Sequence, residues 1–221
     1  MSVVVVAPHP DDEVLGCGGV MARYAAAGEK VHVVIVSCGA ADLYSDESIG
    51  QLRDELRSAH EVLGVSDVKY LDFPAPRLDT VPQQKLADAL RDAFQKAAAT
   101  TLYLPHRADL HTDHRATFLA SLVAARPVRG STVKKILCYE TLSETEWAAP
   151  FGDEAFTPTH FVDVSDTLQK KLEAMACYHT QLQSPPHPRS LEAVENLARG
   201  RGATVGFAAA EAFLLVREIV D

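Results

Sequence analysis

A chain of 221 residues with 47% hydrophobic and 23% charged side chains fits one folded domain spanning 1–221, and excludes a disordered tract, a collagen-like repeat and a coiled coil. Its 30 acidic and 21 basic residues leave a formal charge of −9, and no Lys/Arg block supplies the positive stripe that a nucleic acid or an anionic membrane requires, so neither is expected as a partner. Four cysteines (Cys17, Cys38, Cys138, Cys177) without a C-x-x-C pair argue against a disulfide framework or a thiolate zinc site. The longest apolar stretches fall short of the roughly 20 residues that cross a bilayer. Val3–Val6 runs straight into Pro8-His9-Pro10-Asp11-Asp12-Glu13 with no leader-like pattern, so a cytoplasmic protein is expected.

In chain order, Val3–Ala7 is a β-branched run closed by Pro8, the pattern of a strand buried on both faces in a parallel sheet. Val14–Ala27 reads as a helix closed by Gly28 and Val31–Val36 as a second buried strand, giving a βαβ unit. Ile49, Leu52, Leu56, Ala59, Val62 and Leu63 recur at helical spacing before Gly64, and Val68–Phe73 follows as a strand. Leu86–Ala97 marks another amphipathic helix, Thr101–Leu104 a strand, His114–Ala125 a helix stopping before Pro127, and Lys134–Glu140 a strand. Beyond these, Phe161–Val164 reads as a short strand, Leu168–Tyr178 and Leu191–Leu197 as helices, and Ala212–Ile219 as strand or helix. This alternation predicts an α/β fold: a Rossmann-like, doubly wound, mostly parallel sheet with helices on both faces.

Two segments carry chemistry. His9-Pro10-Asp11-Asp12-Glu13 follows the first strand, and Pro105-His106-Arg107-Ala108-Asp109-Leu110-His111-Thr112-Asp113-His114 follows the fourth. Open α/β sheets bind ligands in the crevice outside such strand ends. Helix capping would explain the acids of the first segment but not His9. Imidazole nitrogen and carboxylate oxygen are zinc donors, and a catalytic site keeps three protein ligands and one open position, a number that two His and one Asp supply. A neighbouring carboxylate can then take a proton from metal-bound water, and a further His can stabilise an oxyanion or protonate a leaving group.

The pair of motifs, His9-Pro10-Asp11-Asp12-Glu13 with His111-x-Asp113-His114, resembles the PIG-L/LmbE family of zinc-dependent N-deacetylases. Gly16-Cys17-Gly18-Gly19, Glu55-Leu56, Phe73-Pro74 and Ala210-Glu211-Ala212-Phe213 extend the likeness along the chain. The resemblance implies that His9, Asp12 and His114 hold Zn²⁺, with Fe²⁺, Co²⁺ or Mn²⁺ as alternatives. It also implies that Asp11 is the general base, that His111 stabilises the oxyanion or assists the leaving amine, and that Asp113 orients a catalytic His. The implied substrate is a small N-acetylated amino-sugar conjugate, and assembly into a homo-oligomer is left open. Leu52 with Arg53 one place later, and Ala75-Pro76, depart from the family pattern in regions that contact the sugar. Arg53, His106, Asp109, His187 and Arg189 are the substrate-binding candidates, while His32 and His60 are assigned no function.

Three rival readings are weaker. A nucleotide-binding loop would need a third Gly or Ala at Met21 and an acid after Val31–Val36. A non-haem iron oxygenase shares the two-His-one-carboxylate set but leaves Asp11 without a task. A catalytically inactive sugar-binding protein would not need Asp11 and His111.

Overall fold

The computed structural model describes residues 2–128 and 130–220. Its elements are β1 (Ser2–Ala7), α1 (Asp12–Ala26), β2 (Lys30–Gly39), α2 (Asp46–Leu63), β3 (Asp67–Ala75), α3 (Gln83–Lys96), β4 (Thr101–Pro105), α4 (Thr112–Ala124), β5 (Lys135–Tyr139), β6 (His160–Asp163), α5 (Leu168–Ala176), α6 (Leu191–Ala203) and β7 (Ala210–Glu218). Seven strands form one sheet in the order β3-β2-β1-β4-β5-β7-β6. The pairs from β3 through β5 are parallel, and β7 runs antiparallel between β5 and β6.

Strand periodicity assigns the two faces. On β1, Val3, Val5 and Ala7 enter one core with α1, α2, α5 and α6, whereas Val4 and Val6 enter the other with α3 and α4. Burial of each such side chain contributes about 1.5–3 kcal/mol. The sheet is therefore covered on both faces, as the run of β-branched residues predicts.

The chain leaves β1 toward β2 on one side and leaves β4 toward β5 on the other, although β1 and β4 are neighbours. The loops after β1 and β4 consequently diverge at the topological switch point and leave a crevice between them. His9–Asp11 and His106–His111 occupy those loops.

Several boundaries differ from the sequence reading. Helix α1 begins at Asp12, two residues earlier than the apolar periodicity marks, because Asp11 adopts a left-handed conformation (φ 103°) and turns the chain directly into the helix. The Gly16-x-Gly18-Gly19 group lies inside α1, where a Cβ on Gly16 would sit 2.2 Å from the Tyr139 ring and one on Gly19 2.8 Å from Val164. Those glycines permit close helix packing and form no phosphate loop. Helix α6 continues to Ala203, and the ambiguous C-terminal segment is the strand β7. No helix among the described residues is long and apolar enough to cross a membrane.

Candidate active site

Strand β1 delivers His9 and the turn into α1 delivers Asp11 and Asp12, while the loop after β4 and the first turn of α4 deliver Asp109, His111, Asp113 and His114. His9 Nδ1 lies 3.2 Å and His114 Nε2 3.3 Å from the same atom, Asp12 Oδ2, so three donor groups converge. His9, Asp12 and His114 each offer a ligand atom within 4.8 Å of the others. The far nitrogen of each ring is held by a carboxylate: His9 Nε2 by Asp113 Oδ2 at 3.1 Å, and His114 Nδ1 by Asp109 Oδ2 at 2.8 Å. Metal-ligating histidines are commonly held in this way, since a proton fixed on the far nitrogen leaves the near lone pair free.

Two buried atoms support a cation here. Asp12 Oδ1 has no hydrogen-bond partner among the described residues, and His114 Nε2, though 3.3 Å from Asp12 Oδ2, is not aligned to hydrogen-bond it. Buried polar groups are rarely left so, and each unsatisfied one costs about 1–3 kcal/mol. His9, His111 and Asp113 also cluster closely enough to ligate. In that set, however, Asp113 is already engaged, with Oδ1 accepting from the Leu78 N–H at 2.9 Å and Oδ2 facing His9. The residues of the first set fit a divalent metal better.

Electrostatics follow from burial and this pairing. Burial disfavours a charged His9, but the Asp113 and Asp12 carboxylates outweigh it and raise its pKa to about 9 in the metal-free site. His114 is raised to about 10 against the same burial, by Asp12 and Asp109. Asp12 is held well below the usual carboxylate range, because His114 and His9 overcome the cost of its burial. Asp11 goes the other way, to about 7, because burial, Asp12 and Glu13 together exceed the opposing Arg189.

Asp11 sits in a backbone region that costs a non-glycine residue about 1–3 kcal/mol and persists only where surroundings enforce it. The enforcing group is the Glu13 carboxylate, which accepts from the Asp11 N–H (3.1 Å), the Tyr178 hydroxyl (2.5 Å) and His60 Nε2 (3.1 Å). His60 and Tyr178 escaped the sequence reading, since nothing local in α2 or after α5 marks them as partners of a residue in α1.

A cavity of about 390 Å³ opens beside these groups and is walled by His9, Asp11, His111, Glu144 and Arg189 at one end and by Tyr44, Ile49, Leu52, Ala75 and Pro76 elsewhere. Of the five substrate-binding candidates, only Arg189 lies on this wall. Asp109 is fully buried behind His114, with Oδ1 accepting from the Thr145 hydroxyl at 2.6 Å and Oδ2 holding the His114 ring, and it does not reach the cavity. Arg53 reaches from α2 to β3, where it pairs with Asp72 at 2.6 Å and lies over the Tyr70 ring. His106 is buried against the Glu154 carbonyl and Phe156, and His187 accepts the Arg189 N–H and packs against Trp147. Asp113 bonds His9 through its side chain and reaches His111 only through its backbone N–H, which donates to His111 Nδ1 at 3.1 Å.

Comparison with known proteins agrees with this geometry. A family model described as "PIG-L: GlcNAc-PI de-N-acetylase" matches residues 4–125, more than half of the chain. The chain is 32% identical over 146 residues to the uncharacterised deacetylase YaiS of Escherichia coli K12, covering 64% of this chain and 74% of that protein. It is 28% identical over 253 residues to the 1D-myo-inositol 2-acetamido-2-deoxy-alpha-D-glucopyranoside deacetylase of Kribbella flavida, covering 81% and 82%. Among solved structures, a conserved protein of Thermus thermophilus superposes with a TM-score of 0.77 at 26% identity, covering 100% of this chain and 97% of that one. The 4-carboxy-2-hydroxymuconate hydratase GalB of a Pseudomonas shares the fold at 20% identity (TM-score 0.78, 100% and 98% covered), so the fold by itself does not select the reaction. Spanning β1 through α4, and hence both loops of the crevice, the family match shows that the chain belongs to the PIG-L family.

Proposed function

We propose that the protein is a divalent-metal-dependent hydrolase that removes the N-acetyl group from a small amino-sugar conjugate, releasing acetate and a free amine. The observation carrying this reading is the meeting of His9, Asp12 and His114 around two unsatisfied buried donor atoms, with the Asp11 carboxylate beside them on the cavity wall. The Kribbella flavida relative, named for deacetylating a 2-acetamido-2-deoxy-glucopyranoside, supports the substrate class.

His9, Asp12 and His114 would hold the metal, and their nitrogen and oxygen donors suit zinc while also accommodating Fe²⁺, Co²⁺ or Mn²⁺. When bound, the metal supplies a Lewis acid and lowers the pKa of water to about 7. The remaining steps belong to side chains. Asp11, whose carboxylate is buried beside the cavity, takes the proton of the attacking water and can return it to the departing amine. His111 accepts the Asp113 N–H at Nδ1, which leaves its proton on Nε2. Burial and the neighbouring His9 lower its pKa and keep it neutral, so it donates to the developing oxyanion as a neutral imidazole. Asp109 and Asp113 hold the two ligand rings in orientation. All four cysteines are free thiols, which suits our reading of a cytoplasmic enzyme.

The test is amine release from N-acetylhexosamine conjugates, free, nucleotide-linked and lipid-linked. Activity should vanish with a strong chelator and return with added metal. Asp11→Asn should lower kcat by about 10²–10⁴-fold with metal still bound; full activity in that variant would remove Asp11 from the mechanism. His114→Ala should lose the metal, and stoichiometric metal in that variant would refute the ligand set.

A further inference from the structure

We propose that Arg189 is a positioning residue for the Asp11 carboxylate and not a substrate-binding group, an inference that rests on the hydrolase reading above. Arg189 precedes α6 and reaches across the crevice, where Nη1 donates to Asp11 Oδ2 at 2.9 Å and Nε donates to the Ser143 hydroxyl at 2.8 Å. Nη2 lies 3.7 Å from Glu144 Oε1. The guanidinium is thus anchored at its neck by Ser143 and faces two carboxylates, which together more than neutralise it. A cation so compensated offers little attraction to an anionic substrate, whereas a planar guanidinium fixed at Nε by Ser143 presents Nη1 to the Asp11 carboxylate in one orientation.

The surroundings are built for this contact. The Asp11 side chain makes no capping bond to α1, so nothing in its own helix orients the carboxylate. Ser143 is buried, has φ 72°, and its N–H is held by Glu146 Oε1 at 2.6 Å, which keeps its hydroxyl fixed under Arg189. The Arg189 backbone is tied on both sides, its N–H to His187 Nδ1 and its carbonyl to the Gln183 N–H. The 143–146 segment that holds Arg189 also holds Asp109 behind His114, through Thr145. A base displaced by about 1 Å costs on the order of 10²-fold in rate.

Arg189→Ala should therefore lower kcat by about 10²-fold while KM and metal content stay near wild type. Added guanidinium ion should restore the rate saturably, which repair of a merely structural defect would not do. Arg189→Lys, which keeps the charge but not the fork, should retain an intermediate rate and serves if the alanine variant fails to fold. A raised KM with kcat retained would make Arg189 a substrate contact and overturn the proposal, as would a rate that neither guanidinium nor lysine restores. Thermal melting of Asp11→Asn, Arg189→Ala and the double variant separates this from the activity itself. The two losses should be non-additive; additivity overturns the pairing whatever the reaction, whereas wild-type protein inactive on every acetamido sugar, with the coupling intact, sinks only the hydrolase reading.

Discussion

His9 and His114 each place one ring nitrogen against Asp12 and the other against a second carboxylate, so in the absence of metal both rings hold protons at neutral pH. Their pKa values, about 9 and about 10, exceed the ordinary value of 6.5, so the folded state binds protons more tightly than the unfolded chain. The stability this contributes is complete below pH 6.5 and is lost as pH rises through 9 to 10. Asp11, raised from 3.8 to about 7, adds a loss of the same sign across pH 4–7. Chelated protein should therefore melt at progressively lower temperature from neutral to alkaline pH, and metal, which replaces those protons, should flatten the trend. A chelated melting temperature that rises from about pH 7 to 10 would contradict the proton assignments. The two loops were legible as dense His/Asp clusters just past buried strands, whereas the choice of His9, Asp12 and His114 among them followed only from the family resemblance of the motif pair. The roles of their supports were not legible. Asp109 is aimed at His114 by the turn that opens α4, and Arg189 meets Asp11 from 178 residues away, a pairing without local signal.

At the scale of elements, α1 is held by an ion pair set against its middle. Lys171 Nζ donates to the Leu15 carbonyl at 2.7 Å and to Glu211 Oε1 at 2.6 Å, and Glu211 in turn accepts the Gly19 and Val20 N–H groups at 2.9 and 2.7 Å. Gly19 N–H and Leu15 C=O are the partners that an unbroken helix would join. The ion pair thus serves both halves of the helix whose first residue, Asp12, is a proposed metal ligand. Both side chains are only 4% exposed, so removing one leaves an uncompensated buried charge. Lys171→Met should cost about 3–5 kcal/mol, and Lys171→Met with Glu211→Leu should recover part of it, as read from denaturant melts. A loss below about 1 kcal/mol would show that the pair is solvated and dispensable. Strands β1 and β2 were legible as β-branched runs, because burial on both faces favours such side chains, and β3 to β5 as short apolar segments between helical patterns. Strand β7 was left as strand or helix over Ala212–Ile219, since its Ala, Leu and Glu side chains suit a helix as well as a strand and the buried Glu211 hides where the strand starts.

Over the whole molecule, the proposed metal ligands come from both sides of the switch point, so a metal that binds only the folded chain stabilises all of it. A saturating metal at about 100 times Kd should add about 2.7 kcal/mol. For a domain of this size that raises Tm by about 5–10 °C. A melting temperature indifferent to metal concentration would mean that the unfolded chain binds it equally well. The alternation of strands and helices predicted the doubly wound sheet because covered parallel strands need crossovers, and the handedness of those crossovers leaves few arrangements. The adjacency of β1 and β4 also sets a timetable. His9 and Asp12 leave the ribosome before the third proposed ligand, His114, which follows His9 by 105 residues. At about 5–20 residues per second, synthesis separates them by roughly 5–20 s. Through that interval the nascent chain would present two of the three proposed ligands, so selection of a metal would be deferred until β4 has taken its place beside β1 and the first turn of α4 has followed it.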